Sequence, residues 1–140
     1  MTSRWEIFPD DLGATTDFYV RVLGFEIVKD ERDTDAPYLS LQRGQARIGA
    51  AQRPPQCDAS SRQPPVGVEL VLEVNDVDEE RMRILDAGWP LREDVAERPW
   101  GQTDLRVVDP SGYYLRITNR GQHTNPRVHR PIPRRRSQTA

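Results

Sequence analysis

Two rhythms of apolar positions run along this chain, and they come in the same order twice. In VELVLEV (68–74), Val68, Leu70, Leu72 and Val74 recur at every second place with Glu69 and Glu73 between them, the period of a strand that buries one face. Other stretches of strand character are Arg4 to Phe8, Phe25 to Lys29, Tyr38 to Gln42, Ala46 to Gln52, Leu91 to Val95, Asp104 to Val108 and Tyr113 to Thr118. After the first of them, Leu12, Phe18 or Tyr19, and Val22 or Leu23 fall on one face of a helix, predicted over Leu12 to Leu23 with Asp10 or Asp11 as cap and Gly24 as left-handed stop. A second helix starts after Asn75 or Asp76 and ends at Gly88. Asp78, Glu79 and Glu80 crowd its first turn, where the helix dipole favours negative charge. Pro9 closes the first strand, and Asp109-Pro110-Ser111-Gly112 is a tight turn with proline at its second place.

The order is thus strand, helix, three strands, given twice. Asp11 recurs as Asp76 at an offset of 65, and Gly24 as Gly88 and Phe25 as Trp89 at 64. The strand pairs around a glycine turn, YLSLQRGQARIGAAQ (38–52) and DLRVVDPSGYYLRITNR (104–120), correspond as well. A module of roughly 55 residues cannot close a core alone, so the two must pack together, with function sought in the concave space between them. The predicted fold is α+β: two tandem β-α-β-β-β modules, about 4–52 and 66–120, forming a concave mixed sheet in one domain over 1–120. The segment 53–65 (RPPQCDASSRQPP) holds four prolines and no apolar period, and reads as an exposed connection.

Composition narrows the class. At 140 residues, 36% apolar and 30% charged, the chain is an ordinary globular domain. No apolar run reaches the length of a membrane span, and MTSRWEIFPDD lacks the basic and apolar regions of a signal peptide, so a cytoplasmic protein without membrane contact is expected. The one thiol, Cys57, has no internal partner and reads as exposed and unemployed. A net charge of −2 hides an asymmetry: residues 121–140 carry five arginines and no acid, which leaves 1–120 at −7. That tail has too little apolar area to offset the entropy of ordering, and is expected to be disordered in the isolated protein. Its arginines are the one feature that points toward nucleic acid, and the acidic body, with no basic face, argues against that partner.

With the duplication, the stretches DLGATTDFYVRVLGFEIV (11–28), ERPWGQ (97–102) and VVDPSGYYLRI (107–117) make the chain resemble the vicinal oxygen chelate superfamily of glyoxalase I, extradiol dioxygenases and bleomycin-resistance proteins. The resemblance covers about residues 4–120. It implies that enzymes of this type hold a divalent ion with four side chains on equivalent strands, and those places fall here on Arg4, Ser40, Glu69 and Arg116. Arginine has no lone pair to offer and repels a cation, so Glu69 is the one normal ligand of the four, and no metal or other cofactor is expected. Both histidines, His123 and His129, lie in the tail. Glu6 and Glu73 stand at even spacing from Arg4 and Glu69 and offer a weak carboxylate site with Glu69. The better expectation is an ion-pair network in which Glu69 neutralises Arg4, Arg116 or both.

A metal-free member resembles the bleomycin-resistance type, a homodimer that sequesters a planar or aromatic small molecule, such as an antibiotic, in clefts lined by both subunits. The expected ligand-binding residues are Arg4, Glu6, Phe8, Tyr38, Ser40, Glu69, Glu73, Trp100, Arg106, Tyr114 and Arg116, the aromatics as walls and the others as polar anchors. Tyr38 and Tyr114 alternate with Leu39 and Leu115, which turns the tyrosines toward the concave side if the leucines face the helices. Against this, Phe8 reads more readily as core, while Trp100 reads equally as packing on a strand end and Arg106 equally as a solvated strand residue; Trp5 and Trp89 are expected in the core. The alternative is an enzyme of the superfamily, a lyase, isomerase or dioxygenase, with Glu69 or Glu73 as general base beside the arginines. The body contains no nucleophile-base pair of the serine-histidine or cysteine-histidine kind.

Overall fold

The computed structural model describes residues 1–52 and 59–120; Cys57 and the arginine-rich tail lie outside the described residues. In chain order the elements are β1 (Trp5–Ile7), α1 (Leu12–Asp17) running on as a π-helical stretch (Phe18–Val22), β2 (Glu26–Glu31), β3 (Tyr38–Arg43) and β4 (Ala46–Ala51). A 3-10 turn (Ala59–Arg62) leads to β5 (Leu70–Val74), α2 (Val77–Asp86), β6 (Glu93–Glu97), β7 (Thr103–Val108) and β8 (Tyr114–Asn119). This is an α+β fold of two β-α-β-β-β modules, each building its own four-stranded mixed sheet. The orders are β1-β4-β3-β2 and β5-β8-β7-β6, with the first strand of each module parallel to its last and the other pairs antiparallel.

Both sheets turn one face to a single core. Leu39, Leu41, Ile48 and Ala50 of the first and Leu70, Leu72, Leu105, Val107, Leu115 and Ile117 of the second join Phe18, Tyr19, Val22, Leu23, Val77 and Ile84 of the helices in one buried cluster. Each module completes the other's interior, the physical reason for the duplication. Strand alternation then sets Tyr38, Ser40, Tyr114 and Arg116 on the faces turned away from that core.

The first helix is not α-helical throughout. Asp11, not Asp10, caps it by accepting from the Ala14 N–H at 3.0 Å, while Asp10 accepts from the Ser111 hydroxyl at 3.2 Å. From Phe18 the turns widen: Leu23 N–H reaches Phe18 O at 3.1 Å and Phe25 N–H reaches Tyr19 O at 2.8 Å. The burial demand explains it, because the consecutive rings of Phe18 and Tyr19 are both fully buried, as are Val22 and Leu23. Phe18 meets Tyr19 edge-on at 5.0 Å and Trp89 of the second module at 4.9 Å. Gly24 ends the helix at φ +73°, as its place in the sequence requires.

Polar ties also cross between modules. Arg43 grips the carboxylate of the buried Glu80, with one N–H···O contact at 2.9 Å. Arg21 donates to the Ala87 carbonyl at 2.7 Å, and the Tyr19 hydroxyl donates to the buried Asp109 at 2.9 Å.

Several sequence readings need correction. Trp5 is not core: it keeps 41% of its surface exposed, because β1 is a three-residue edge strand. Trp89 does pack on the core, and its indole N–H donates to Val108 O at 2.9 Å. Strand β6 starts at Glu93, two residues after the predicted start, and is irregular between Glu93 and Ala96; β5 starts at Leu70, and Val68 stays outside it, exposed. The described end of the inter-module connection is not simply exposed. Ala59 lies so close to Gly112 (φ +85°) that no Cβ fits there, and Arg62 donates to Ser111 O while stacking on the Tyr113 ring at 4.3 Å. Among the described residues, no helix is long and apolar enough to cross a membrane.

Candidate functional site

The expected site residues fall into two groups, one on each sheet. On the first, the Glu6 carboxylate accepts from Arg4 Nε at 2.5 Å and from the Tyr38 hydroxyl at 2.8 Å. Sheet order makes this triad: β1 and β3 flank β4, and Glu6 and Ser40 are both in register with Gly49. A Cβ at Gly49 would overlap the Tyr38 hydroxyl and stand 2.6 Å from both Glu6 oxygens, so the bare backbone is what lets the pair lie across the strand. Burial, and then the Glu6 carboxylate, push the Tyr38 phenol above its ordinary pKa. We therefore expect Gly49→Ala to melt within a few degrees of the parent, since only flexible side-chain ends must move, yet to shift the Tyr38 phenol back toward 10. A ring-labelled NMR titration checks it, and an unmoved Tyr38 pKa would refute the cradle.

On the second sheet, Glu69 lies between two arginines: Arg106 donates to Oε1 at 2.5 Å, and Arg116 Nη2 stands 3.5 Å from Oε2. Arg4 is not among Glu69's partners, contrary to one sequence expectation, because the two belong to different sheets and Arg4 is held by Glu6. Arg106 is not a solvated strand residue either: its side chain is 14% exposed, its guanidinium lies 5.9 Å from the centre of the Tyr114 ring, and it also meets the fully buried Asp104 at 3.5 Å. Asp104 in turn accepts from Arg98 at 2.9 Å, and Arg98 from its other edge donates to Glu93 at 2.9 Å. Burial and Glu93 raise the Tyr114 phenol, opposed by Arg106 and Arg92. Sequence reading missed Arg98, Asp104 and Glu93. The even step from Asp104 to Arg106 was a legible signal, but the reach of Arg98 back across the β6–β7 hairpin was not.

An apolar cavity of about 470 Å³ opens beside these groups, between β1 and the start of β5 and β8. Trp5, Val66, Val68, Leu70, Tyr113 and Tyr114 form most of its wall, with Glu6 and Arg62 at its polar margin. Of the predicted residues it gathers Glu6 and Tyr114. Phe8 is 40% exposed rather than core, with its backbone N–H on the Tyr113 hydroxyl at 3.0 Å. Trp100 is 58% exposed on the β6–β7 hairpin and does not pack on a strand end; its indole N–H donates to Gln102 at 3.2 Å. Glu73 stands exposed on β5, so Glu6, Glu69 and Glu73 are not brought together. Among the described residues no group of three or more His, Cys, Asp or Glu side chains is placed to hold a metal ion. The donor set at Arg4, Ser40, Glu69 and Arg116 does not fit one, since two members are cations and the carboxylate is engaged by arginine.

Residues 3–117 match the family model described as the Glyoxalase/Bleomycin resistance protein/Dioxygenase superfamily. Among solved structures, the bleomycin resistance determinant encoded on transposon Tn5 is 23% identical at a TM-score of 0.71, covering 86% of this chain and 98% of that one. A bleomycin-binding protein complexed with bleomycin gives 23% and 0.69 over the same shares. A member of the same superfamily from Sphaerobacter thermophilus gives 23% and 0.66, covering 86% and 97%. At these identities the likeness speaks for the fold. Comparison with curated protein sequences gives no match.

Proposed function

The chain belongs to the glyoxalase/bleomycin resistance protein/dioxygenase superfamily, and from that premise we propose that it binds and sequesters a planar or aromatic small molecule, of the antibiotic kind, without a metal ion. The observation that carries this reading is the state of Glu69. It is the one normal metal ligand among the four inherited positions, and Arg106 and Arg116 already occupy it. Removing the carboxylate to coordinate an ion would leave Arg116 without a counter-charge and Arg106 with only its 3.5 Å contact to Asp104. The apolar cavity with tyrosine and tryptophan in its wall falls in the size range of small-molecule sites and suits a flat ligand. The bleomycin resistance determinant and the bleomycin-binding protein among the fold relatives support the same direction.

The binding surface in this reading comprises Arg4, Glu6, Phe8, Tyr38 and Ser40 of the first sheet, Glu69, Glu73, Arg106, Tyr114 and Arg116 of the second, and Trp100 at the far hairpin. No hydrogen bond or ion pair joins the two polar groups within one chain among the described residues. A cytoplasmic homodimer that sets the first face of one copy against the second face of its partner would unite them. The exposed Trp5, Phe8, Val66 and Val68 offer apolar area for that contact.

Calorimetric titration of the full chain with bleomycin, mitomycin and a quinoxaline peptide, with mass analysis of the recovered ligand, tests the proposal. Stoichiometric binding of at least one, indifferent to chelators and returning the ligand unchanged, is expected. Turnover, or binding that depends on added Mn²⁺ or Zn²⁺, would replace sequestration with catalysis.

A further inference from the structure

Arg116 stands at the centre of the second polar face, in register with Val71 on one side and Arg106 on the other. Two guanidinium groups on directly opposed residues repel, and such a pair persists where an anion lies between them. Glu69 does this unequally. Its Oε1 takes a short bond from Arg106, while its Oε2 is 3.5 Å from Arg116, a coulombic contact too long for a good hydrogen bond. Arg106 also has Asp104, and Arg98 has both Asp104 and Glu93. Arg116 has no hydrogen bond from its guanidinium to any described residue, although its side chain is only 23% exposed. Its Nε is closed off from solvent without an acceptor, as is that of Arg106.

A mostly buried cation with unfilled donors carries the desolvation cost without the compensating bonds, so an acceptor that reaches it is favoured. With Nε closed off, the terminal nitrogens are the ones open to a ligand, and their spacing matches the two oxygens of an oxyanion. Tyr114 lies two residues back on the same face of β8, about 6.6 Å away by strand geometry, and is also in the wall of the apolar cavity. We propose that Arg116 is an anion subsite, and that among planar molecules the site prefers an aromatic acid that rests its ring against Tyr114 and sets a carboxylate, sulfonate or phosphate on Arg116. This rests on the sequestration reading and adds the sign of the ligand's charge. The face as a whole is balanced, with Arg98, Arg106 and Arg116 against Glu69, Glu93 and Asp104, so selectivity comes from local hydrogen bonds rather than from a net positive field.

The test compares 2-naphthoate with its neutral isostere 2-naphthamide on the full, isotope-labelled chain, following the Arg116 Nε–Hε signal and the Tyr114 amide by NMR. The acid should bind about tenfold more tightly than the amide, as one charge-assisted contact permits. It should move the Arg116 signal and yield to sulfate, which leaves the amide in place. Arg116→Gln should bring the two affinities together, and Arg116→Lys, which keeps the charge but not the fork, should retain part of the gap. Equal affinities in the unaltered chain, or a gap untouched by sulfate, would overturn the anion subsite while leaving planar-ligand binding standing. Binding of neither compound would overturn the anion subsite, while sequestration stands or falls with the calorimetric titration of the antibiotics.

Discussion

Glu80→Ala is expected to lower the unfolding free energy by about 3 kcal/mol, the largest loss from any single polar side chain between the modules. Glu80 sits in the first turn of α2, 3% exposed, and both its oxygens are taken by Arg43 of β3. Removing it leaves Arg43 with the Leu23 carbonyl at 2.9 Å as its remaining partner. Arg43 keeps about a third of its side chain in solvent, so it can rehydrate in part, which sets the loss at the lower end of the range for broken buried pairs. Glu80→Gln, which retains an acceptor but not the charge, should lose about half as much. Urea unfolding at pH 7 measures both. The double variant with Arg43→Ala should lose distinctly less than the two single losses added together, and simple additivity would mean that the two side chains do not act as a pair.

The second large effect depends on pH. Asp109 lies in the turn before β8, accepts from the Ser111 and Tyr113 N–H groups and the Tyr19 hydroxyl, and is pushed by burial from the ordinary 3.8 to about 6 despite those donors. The folded chain therefore holds this proton more tightly than the unfolded chain. The contribution is fully present below pH 3.8 and is lost as pH rises through about 6. Two units correspond to about 3 kcal/mol. Surface carboxylates such as Asp30, held down to about 2 first by its hydrogen bond from Arg32, act in the opposite sense, so the raw stability curve mixes both. Asp109→Asn isolates the effect. The stability of the parent minus that of the variant should fall by about 2 kcal/mol between pH 4 and pH 6.5, and a flat difference would show that Asp109 is ionised throughout.

Chain pattern revealed the architecture because it depends on local rules. Helix caps at Asp11 and Asp76, positive-φ stops at Gly24 and Gly88, and the period-two run before Asn75 each act within a few residues, and the repeat offset then fixes the two-module plan. Of the candidate site, the sequence showed which residues share a face and not how they connect. Alternation put Arg4 with Glu6 and Tyr114 with Arg116 on common faces, but the partner of Tyr38 follows from β4 lying between β1 and β3, and that of Glu69 from β8 lying between β5 and β7. Neither neighbour relation is local. Trp5 misled for a similar reason: its parity matches Ile7, but nothing in the sequence says that its strand lies at an edge beside an open cavity. The π-helical turn was hidden because consecutive apolar residues such as Phe18 and Tyr19 are compatible with either side of an ordinary helix.

The two halves are unequal in one respect. Strand β5 is zipped to β8 over five register positions, whereas β1 is zipped to β4 over three, at the rim of its sheet and close to the N-terminus. Of the two equivalent strands, the first is thus the loosely fastened one. The triad that Glu6 organises rides on a short ribbon whose detachment would dissolve that half of the proposed binding surface while drawing only Ile7 out of the shared interior.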